Sequence, residues 1–440
     1  MIIALLSHPP SCIAMLPRWL LAVAVLLCAR PAHPQGAQQC PAANTMTPCS
    51  CSVKKNGLDI LCEFTEQQHI QKAMNTLRSK PMIIFYLKLR HNNLAKLPSY
   101  IFLGLDIRHL TVHNSSLAVI EDSSLSSIGN KLTQLDVSQN SLATIPTSSF
   151  THLNHLLILN MNHNKVSCNI KRHFSNKIIN KKASSILLSN LFYTIFRLRN
   201  LDSLGLAHNQ LREVPAQVFS HLTFLNSLEL EGNVIQKIDE KAFAGLEENL
   251  QYLRLGDNRL HEIPSDALRP LHRLRHLDLR SNNITYISED AFTGYGDSIT
   301  FLNLQKNMVH QLPTMGFDNL NSLETLNLQN NKLQHIPEEI MEPILDTLRV
   351  VDIMDNPLIC DCELGWYEAW LAGLRDRDDE MMQKKRTVCT MVNEHREYSV
   401  AKMPLEKMNC KRKPAYGRPS AAPAIVCPSL ALLLITARCI

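Results

Sequence analysis

From about residue 81 the chain alternates apolar and polar positions in short bursts that return at a fixed step. Each burst reads Leu-x-Leu-x-x-Asn-x-Leu, with conservative variants, and its Asn falls at 92, 140, 164, 209, 233, 258, 282, 307, 331 and 356. Ser115 takes that place in the second unit. Neighbouring units lie 23 to 25 residues apart, except for one step of 45. Ten residues after most of these positions comes a Phe or Leu: Phe102, Leu125, Phe150, Phe219, Phe243, Leu268, Phe292 and Phe317. An alternation of two predicts a short strand with its leucines on one side and the intervening residues on the other. One strand per step predicts a parallel stack at ~4.8 Å per unit, so eleven units make a sheet roughly 50 Å long. The Asn column then turns into the stack, where an amide can both donate to and accept from backbone groups that would otherwise be buried unpaired. Phe at the later offset fills the wider outer side.

The step from Asn164 to Asn209 is one unit plus 21 residues. The irregular stretch within it, roughly residues 167–196, is rich in Lys, Asn, Ile and Ser and carries the solitary Cys168. It reads as a degenerate repeat or as translated intron sequence, with a basic loop facing an acidic partner as the second reading.

Thirteen cysteines sort by position. Cys40, Cys49, Cys51 and Cys62 stand before the periodic region, and Cys360, Cys362, Cys389 and Cys410 after it. Two sets of four predict disulfides in an oxidising compartment. Residues 1–36 read as a secretory signal: Arg18 precedes an apolar core from Trp19 to Cys28 that is too short to span a bilayer. Residues 411–440 form a tail whose apolar run, Ala424 to Ala437, follows the small residues Ser420, Ala421 and Ala422. That order predicts a glycosylphosphatidylinositol (GPI) attachment signal, hence a lipid anchor on the outer plasma membrane, with free secretion as the alternative.

The repeat resembles that of the leucine-rich repeat family over residues 81–358. The spacing C-x8-C-x-C-x10-C over residues 40–80 is similar to the family's N-terminal cap. The stretch from Asn356 through Cys360, Cys362, Trp366 and Trp370 to Cys389 and Cys410 resembles the C-terminal cap of the Slit, Toll and Nogo-receptor type, here residues 359–410. The resemblance implies an α/β leucine-rich repeat solenoid, a horseshoe with a parallel β-sheet on its concave face and disulfide-bonded end caps. It also implies that Cys360 pairs with Cys389 and Cys362 with Cys410, and that Trp366, Trp370 and Leu371 cover the last coil as one helical face. Proteins of the Slit, connectin and chaoptin type are extracellular and bind other proteins in adhesion, guidance or matrix contact. Two alternatives stay open: a non-catalytic subunit scaffolding a secreted enzyme, and an immune-recognition ectodomain.

The formal net charge is +5, but residues 164–200 hold eight basic residues and no acid, leaving −3 elsewhere. The general surface is therefore not basic, which argues against a nucleic-acid partner. The chain shows no His-Glu-x-x-His, Gly-x-Ser-x-Gly, P-loop or dinucleotide glycine pattern, so neither an enzyme nor a cofactor is expected. Histidines such as His91, His113, His163 and His208 fall at surface positions of the repeat. Chemistry is left to the residues that face out between the strand leucines, a polar surface of mixed sign. Tyr252, Arg254, His276, Asp278, Arg280 and Phe301 gather aromatic and arginine side chains there, the types that anchor protein interfaces. They form the expected binding patch for an extracellular protein ligand or receptor. Asn114-Ser-Ser and Asn283-Ile-Thr are N-glycosylation acceptors in a secreted chain.

Overall fold

The computed structural model describes residues 39–79, 81–167, 198–373 and 386–411. The leader of residues 1–36, the 167–196 segment from Cys168 onward and the tail beyond Lys411 lie outside the described residues. Among the described residues thirteen strands form one sheet. In chain order they are β1 (Ser50–Lys54), β2 (Gly57–Glu63), β3 (Ile83–Arg90), β4 (Asp106–His113), β5 (Gln134–Asp136), β6 (Ile158–Asn160) and β7 (Ser203–Gly205). Then follow β8 (Ser227–Glu229), β9 (Tyr252–Arg254), β10 (His276–Asp278), β11 (Phe301–Asn303), β12 (Thr325–Asn327) and β13 (Val350–Asp352). β1 and β2 are an antiparallel hairpin, and every later pairing is parallel.

Register is constant along the stack: Leu204, Leu228, Leu253, Leu277, Leu302 and Leu326 face one another strand by strand. All are fully buried. A slip of one residue would turn these leucines to water and their polar neighbours inward, which is why a single register survives. On the convex side Phe102, Phe150, Phe219, Phe243, Phe292 and Phe317 are buried as expected, with Phe219 and Phe243 stacked at 6.4 Å.

The asparagine column forms a ladder. Asn282, for example, donates Nδ2 to the carbonyl of Leu255 in the preceding coil at 3.0 Å and to Leu279 in its own. Its Oδ1 accepts the N–H of Leu260 at 3.0 Å. Asn164, Asn209, Asn233, Asn258 and Asn307 repeat the pattern. The residue before each column position is left-handed in all eleven units, from Asn114 at φ 46° to Gly232 at φ 67°. Ten of these are not glycine, so the strain of that conformation is offset by the amide bonds it makes possible.

The 45-residue step does not interrupt the sheet. Ile158, Leu159 and Asn160 pair directly with Ser203, Leu204 and Gly205. Asn209 Nδ2 reaches back to the Met161 carbonyl at 3.1 Å, and Gln210 N–H to Val166 at 2.9 Å. A degenerate repeat with a strand of its own would stand between β6 and β7, and none does.

Both ends are stapled. The bonds are Cys40–Cys51, Cys49–Cys62, Cys360–Cys389 and Cys362–Cys410. The C-terminal pairing is the one the resemblance implied. Helix Gly365–Gly373 lays Trp366, Trp370 and Leu371 over the last coil, and the Trp366 indole donates to the Ile336 carbonyl at 2.8 Å. A hairpin, Val388–Met391 with Arg396–Ser399, carries Cys389 beside it. Among the described residues no helix is long and apolar enough to cross a membrane.

Candidate protein-binding face

The outward residues of each strand form columns across the sheet, because parallel strands in constant register set equivalent side chains side by side at ~4.8 Å. The column before the central leucine places Tyr252, His276 and Phe301 opposite one another. His276 and Phe301 stack at 4.0 Å between centroids with 3° between planes, and Tyr252 lies 6.0 Å from His276. Tyr252 is 44% exposed. Burial holds the His276 pKa below its ordinary value, with Arg254 and Arg280 adding to that against the opposing pull of Asp278. The imidazole is therefore neutral near pH 7, and the three rings present an aromatic surface without charge.

Beside the rings runs a charged strip. Arg254 Nη1 lies 3.3 Å from Glu229 Oε1 and 3.8 Å from Glu231 Oε1. Arg280 contacts the Asp278 carboxylate, and its Nε lies 3.5 Å from Asp257. Two glycines make these reaches possible. A Cβ at Gly256 would sit 2.9 Å from Arg280 Cγ, so Arg280 lies across β9 only because no side chain is there. A Cβ at Gly205 would meet Asn162 Oδ1 at 2.7 Å, and Asn162 uses that space to donate Nδ2 to Glu229 Oε2 at 2.8 Å.

All six expected patch residues thus fall on three adjacent strands or the turn that ends β10, but they do not share one role. Asp278 is only 3% exposed, and its Oδ1 accepts the backbone N–H of Arg280 at 3.0 Å. It supports Arg280 and is not displayed. The same bond to the residue two positions on recurs at Asp136, Asn160, Asn303, Asn327 and Asp352. An Asp or Asn in this column is a local backbone partner, which leaves Gly205, Glu229 and Arg254 as its departures in the middle of the sheet. Glu231 was not singled out from sequence. It is 9% exposed, and its Oε2 has no hydrogen-bond partner. Burial first and Glu229 second push its carboxyl above the usual range.

A second aromatic group escaped the sequence reading although its signal was present. Tyr86 and His109 occupy the same column as Tyr252 and Phe301. Phe85, Tyr86 and His109 lie within 4.6 to 4.9 Å of one another, and Lys88 Nζ stands 4.8 Å over the Tyr86 ring. Lys88 also pairs with Asp59 of β2 at 2.9 Å. Nearby Phe64, 80% exposed, stacks on His91 at 5.3 Å. Both glycosylation acceptors, Asn114 and Asn283, are exposed, and Asn114 Nδ2 lies 2.9 Å from His91 Nδ1.

Comparison with known proteins agrees with this architecture. Leucine-rich repeat models match residues 106–166, 199–248 and 248–308, and again residues 322–342. Tsukushi-A of Xenopus laevis is 30% identical over 208 residues, 45% of this chain and 58% of that protein. Tsukushi of Gallus gallus is 28% identical over 172 residues, 32% of this chain and 46% of that one. The chain thus spans about half the length of these relatives. Chaoptin of Drosophila melanogaster is 38% identical over 158 residues, 34% of this chain but 12% of chaoptin. Among solved structures, a leucine-rich repeat protein of Leptospira interrogans gives a TM-score of 0.52 at 25% identity, covering 69% of this chain and 67% of that one. A chain of the octameric Latrophilin 3, Unc5D and FLRT2 complex gives 0.58 at 19% identity, covering 74% and 91%, a likeness of fold.

Proposed function

We propose that this leucine-rich repeat protein, closed at both ends by cysteine caps, is an extracellular or cell-surface scaffold that binds another protein through its concave face, in adhesion, guidance or recognition of matrix or receptor. One observation carries the reading. The aromatic stack Tyr252–His276–Phe301 and the arginines beside it stand on a rigid sheet, so a partner meets preorganised anchors and binding orders no loop. Four disulfides support the oxidising compartment.

In this reading Asn114 and Asn283 carry N-linked glycans, and the tail tethers the protein to the outer membrane through a GPI anchor. Phosphatidylinositol-specific phospholipase C should then release the protein from expressing cells. Protein that stays cell-bound after the enzyme, or reaches the medium with its tail intact, contradicts the anchor. The binding role is tested by cell clustering and by crosslinked capture of surface partners, using the full chain and its Arg254→Ala/Phe301→Ala variant. Clustering and capture should both fall in the variant at equal surface expression. Unchanged capture moves the interface off this patch.

A further inference from the structure

We infer that Glu229 and Glu231 clamp one cationic side chain of the partner, a Lys or Arg, while an apolar residue of the same partner segment lies on the Tyr252–His276–Phe301 stack. The inference rests on the protein-binding reading above and names the partner's chemistry.

The charges in this part of the face do not balance. Glu229, Glu231, Asp257 and Asp278 supply four negative charges against Arg254 and Arg280, a net of −2. Arg280 is committed to Asp278 and Asp257. Arg254 is shared between two glutamates, at 3.3 and 3.8 Å, and half of its side chain is in water. One exposed guanidinium does not neutralise both carboxylates, since an ion pair of that kind is weak and screened. Glu229 has a second donor in Asn162, whereas Glu231 has none at Oε2. Oε2 is sealed from water without a donor, a standing penalty on the ionised carboxylate, while Oε1 has only Arg254 at 3.8 Å and is the oxygen that an incoming N–H group would meet. In its own row Glu231 stands between Ala207 and Gly256, the two smallest side chains of that row.

The geometry also sets the partner's spacing. Glu229 lies opposite Arg254 in register, and Tyr252 precedes Arg254 by two residues on the same strand. Glu229 and Tyr252 are thus diagonal neighbours about 7–8 Å apart on adjacent strands, with Glu231 two residues further along the chain and His276 and Phe301 one and two strands further across. An extended segment with Arg or Lys two positions from a bulky apolar residue matches both at once.

The test uses the full chain and fluorescein-labelled, end-blocked pentapeptides in which Trp and a variable residue stand two positions apart, read by fluorescence anisotropy. With Arg or Lys at the variable position the peptide should bind about 10-fold more tightly than with Ala, and with Glu more weakly than with Ala. In Glu231→Gln, and in Glu229→Gln/Glu231→Gln, the Arg-to-Ala ratio should fall toward one while the Ala peptide keeps its affinity. Phe301→Ala should weaken every peptide alike. Circular dichroism of each variant confirms the fold. If the peptides bind with Phe301 dependence but without charge preference, or if the ratio survives in the glutamine variants, the clamp is overturned and the concave-face reading stands. If binding is indifferent to both Phe301 and the glutamates, or absent up to millimolar peptide, both fall.

Discussion

Two aromatic groups stand on the same face of one sheet, in the same column, and the structure uses them differently. In the first repeats Phe85, Tyr86 and His109 meet edge-on and tilted, and Lys88 closes over Tyr86 while paired with Asp59 from the cap hairpin. The charges beside that group are paired and tie the first repeat to the cap, while His109 Nδ1 is buried without a hydrogen-bond partner. In the middle of the sheet Tyr252, His276 and Phe301 lie along one line, beside acidic groups that outnumber their basic partners. Aromatic side chains on a concave column do not by themselves mark an interface. What separates the two groups is whether the adjoining charges already have partners.

The largest effect should come from cutting the support of the first group. Cys62 lies near the end of β2, the strand that carries Asp59, and bonds to Cys49. Cys62→Ser frees a thiol and loosens the hairpin that covers the first repeat, a loss of roughly 2–5 kcal/mol. Secretion should fall sharply, measured as the ratio of medium to cell-retained protein. Undiminished secretion would mean that the first group holds without the cap.

Next in size is the direct contest between the groups. Arg254→Ala/Phe301→Ala should weaken partner binding by about 2 kcal/mol or more, some 30-fold, with the thermal midpoint little changed because neither side chain points into the core. Tyr86→Ala/His109→Ala should do the reverse, lowering stability and leaving partner affinity alone. An exchange of those two outcomes would assign the interface to the first repeats.

The spine of the molecule was legible because its constraint repeats. Leucine and asparagine answer the same burial and hydrogen-bonding demand in every coil, so periodicity exposes them, and paired cysteines at both ends mark the caps. The displayed columns answer no common demand. The left-handed position is filled by His91, Gln139, Asp257, Ser281 and Lys306 among others, so composition gives no sign of a conformation that every unit adopts. Asp278 looked displayed from its place in the alternation, yet its short side chain bends back to its own backbone. Glu231 looked like one acid among many, because its burial depends on side chains that lean in from neighbouring strands.

A smaller effect concerns that residue. Burial and Glu229 raise the Glu231 carboxyl pKa, so the folded state holds this proton more tightly than the unfolded chain does. The penalty for ionising it is absent below the unfolded value of 4.5, grows as pH rises from there to the higher folded value, and is constant above it. Glu231→Gln should therefore be more stable than the parent near pH 7, by about 1–3 °C in melting midpoint, and equal to it below about pH 4. Glu229, Arg254 and Arg280 face the same carboxyl, with Asp257, Asp278 and His276 close by. A difference that grows toward acid pH would reverse the sign and place the unbalanced charge elsewhere.

The smallest effect should be that of Lys88→Ala, and its smallness is the point of the comparison. Lys88 and Arg254 occupy the same column, each beside an aromatic ring and an acid, so residue type alone would rank them as equals. Lys88, however, places its ammonium 2.9 Å from Asp59 and 4.8 Å over the Tyr86 ring, with both partners of the ion pair partly exposed. A pair of that kind is worth ~0–1 kcal/mol, and the cation–π contact about 0.5–1 kcal/mol. Lys88→Ala should therefore lower stability by roughly 1 kcal/mol and leave partner affinity within twofold. Asp59→Asn in the same background should recover part of the loss, since the acid no longer stands without its lysine. If Lys88→Ala instead reduced binding as far as Arg254→Ala/Phe301→Ala does, a satisfied charge would serve the interface as well as an unsatisfied one, and the distinction between the two groups would fail.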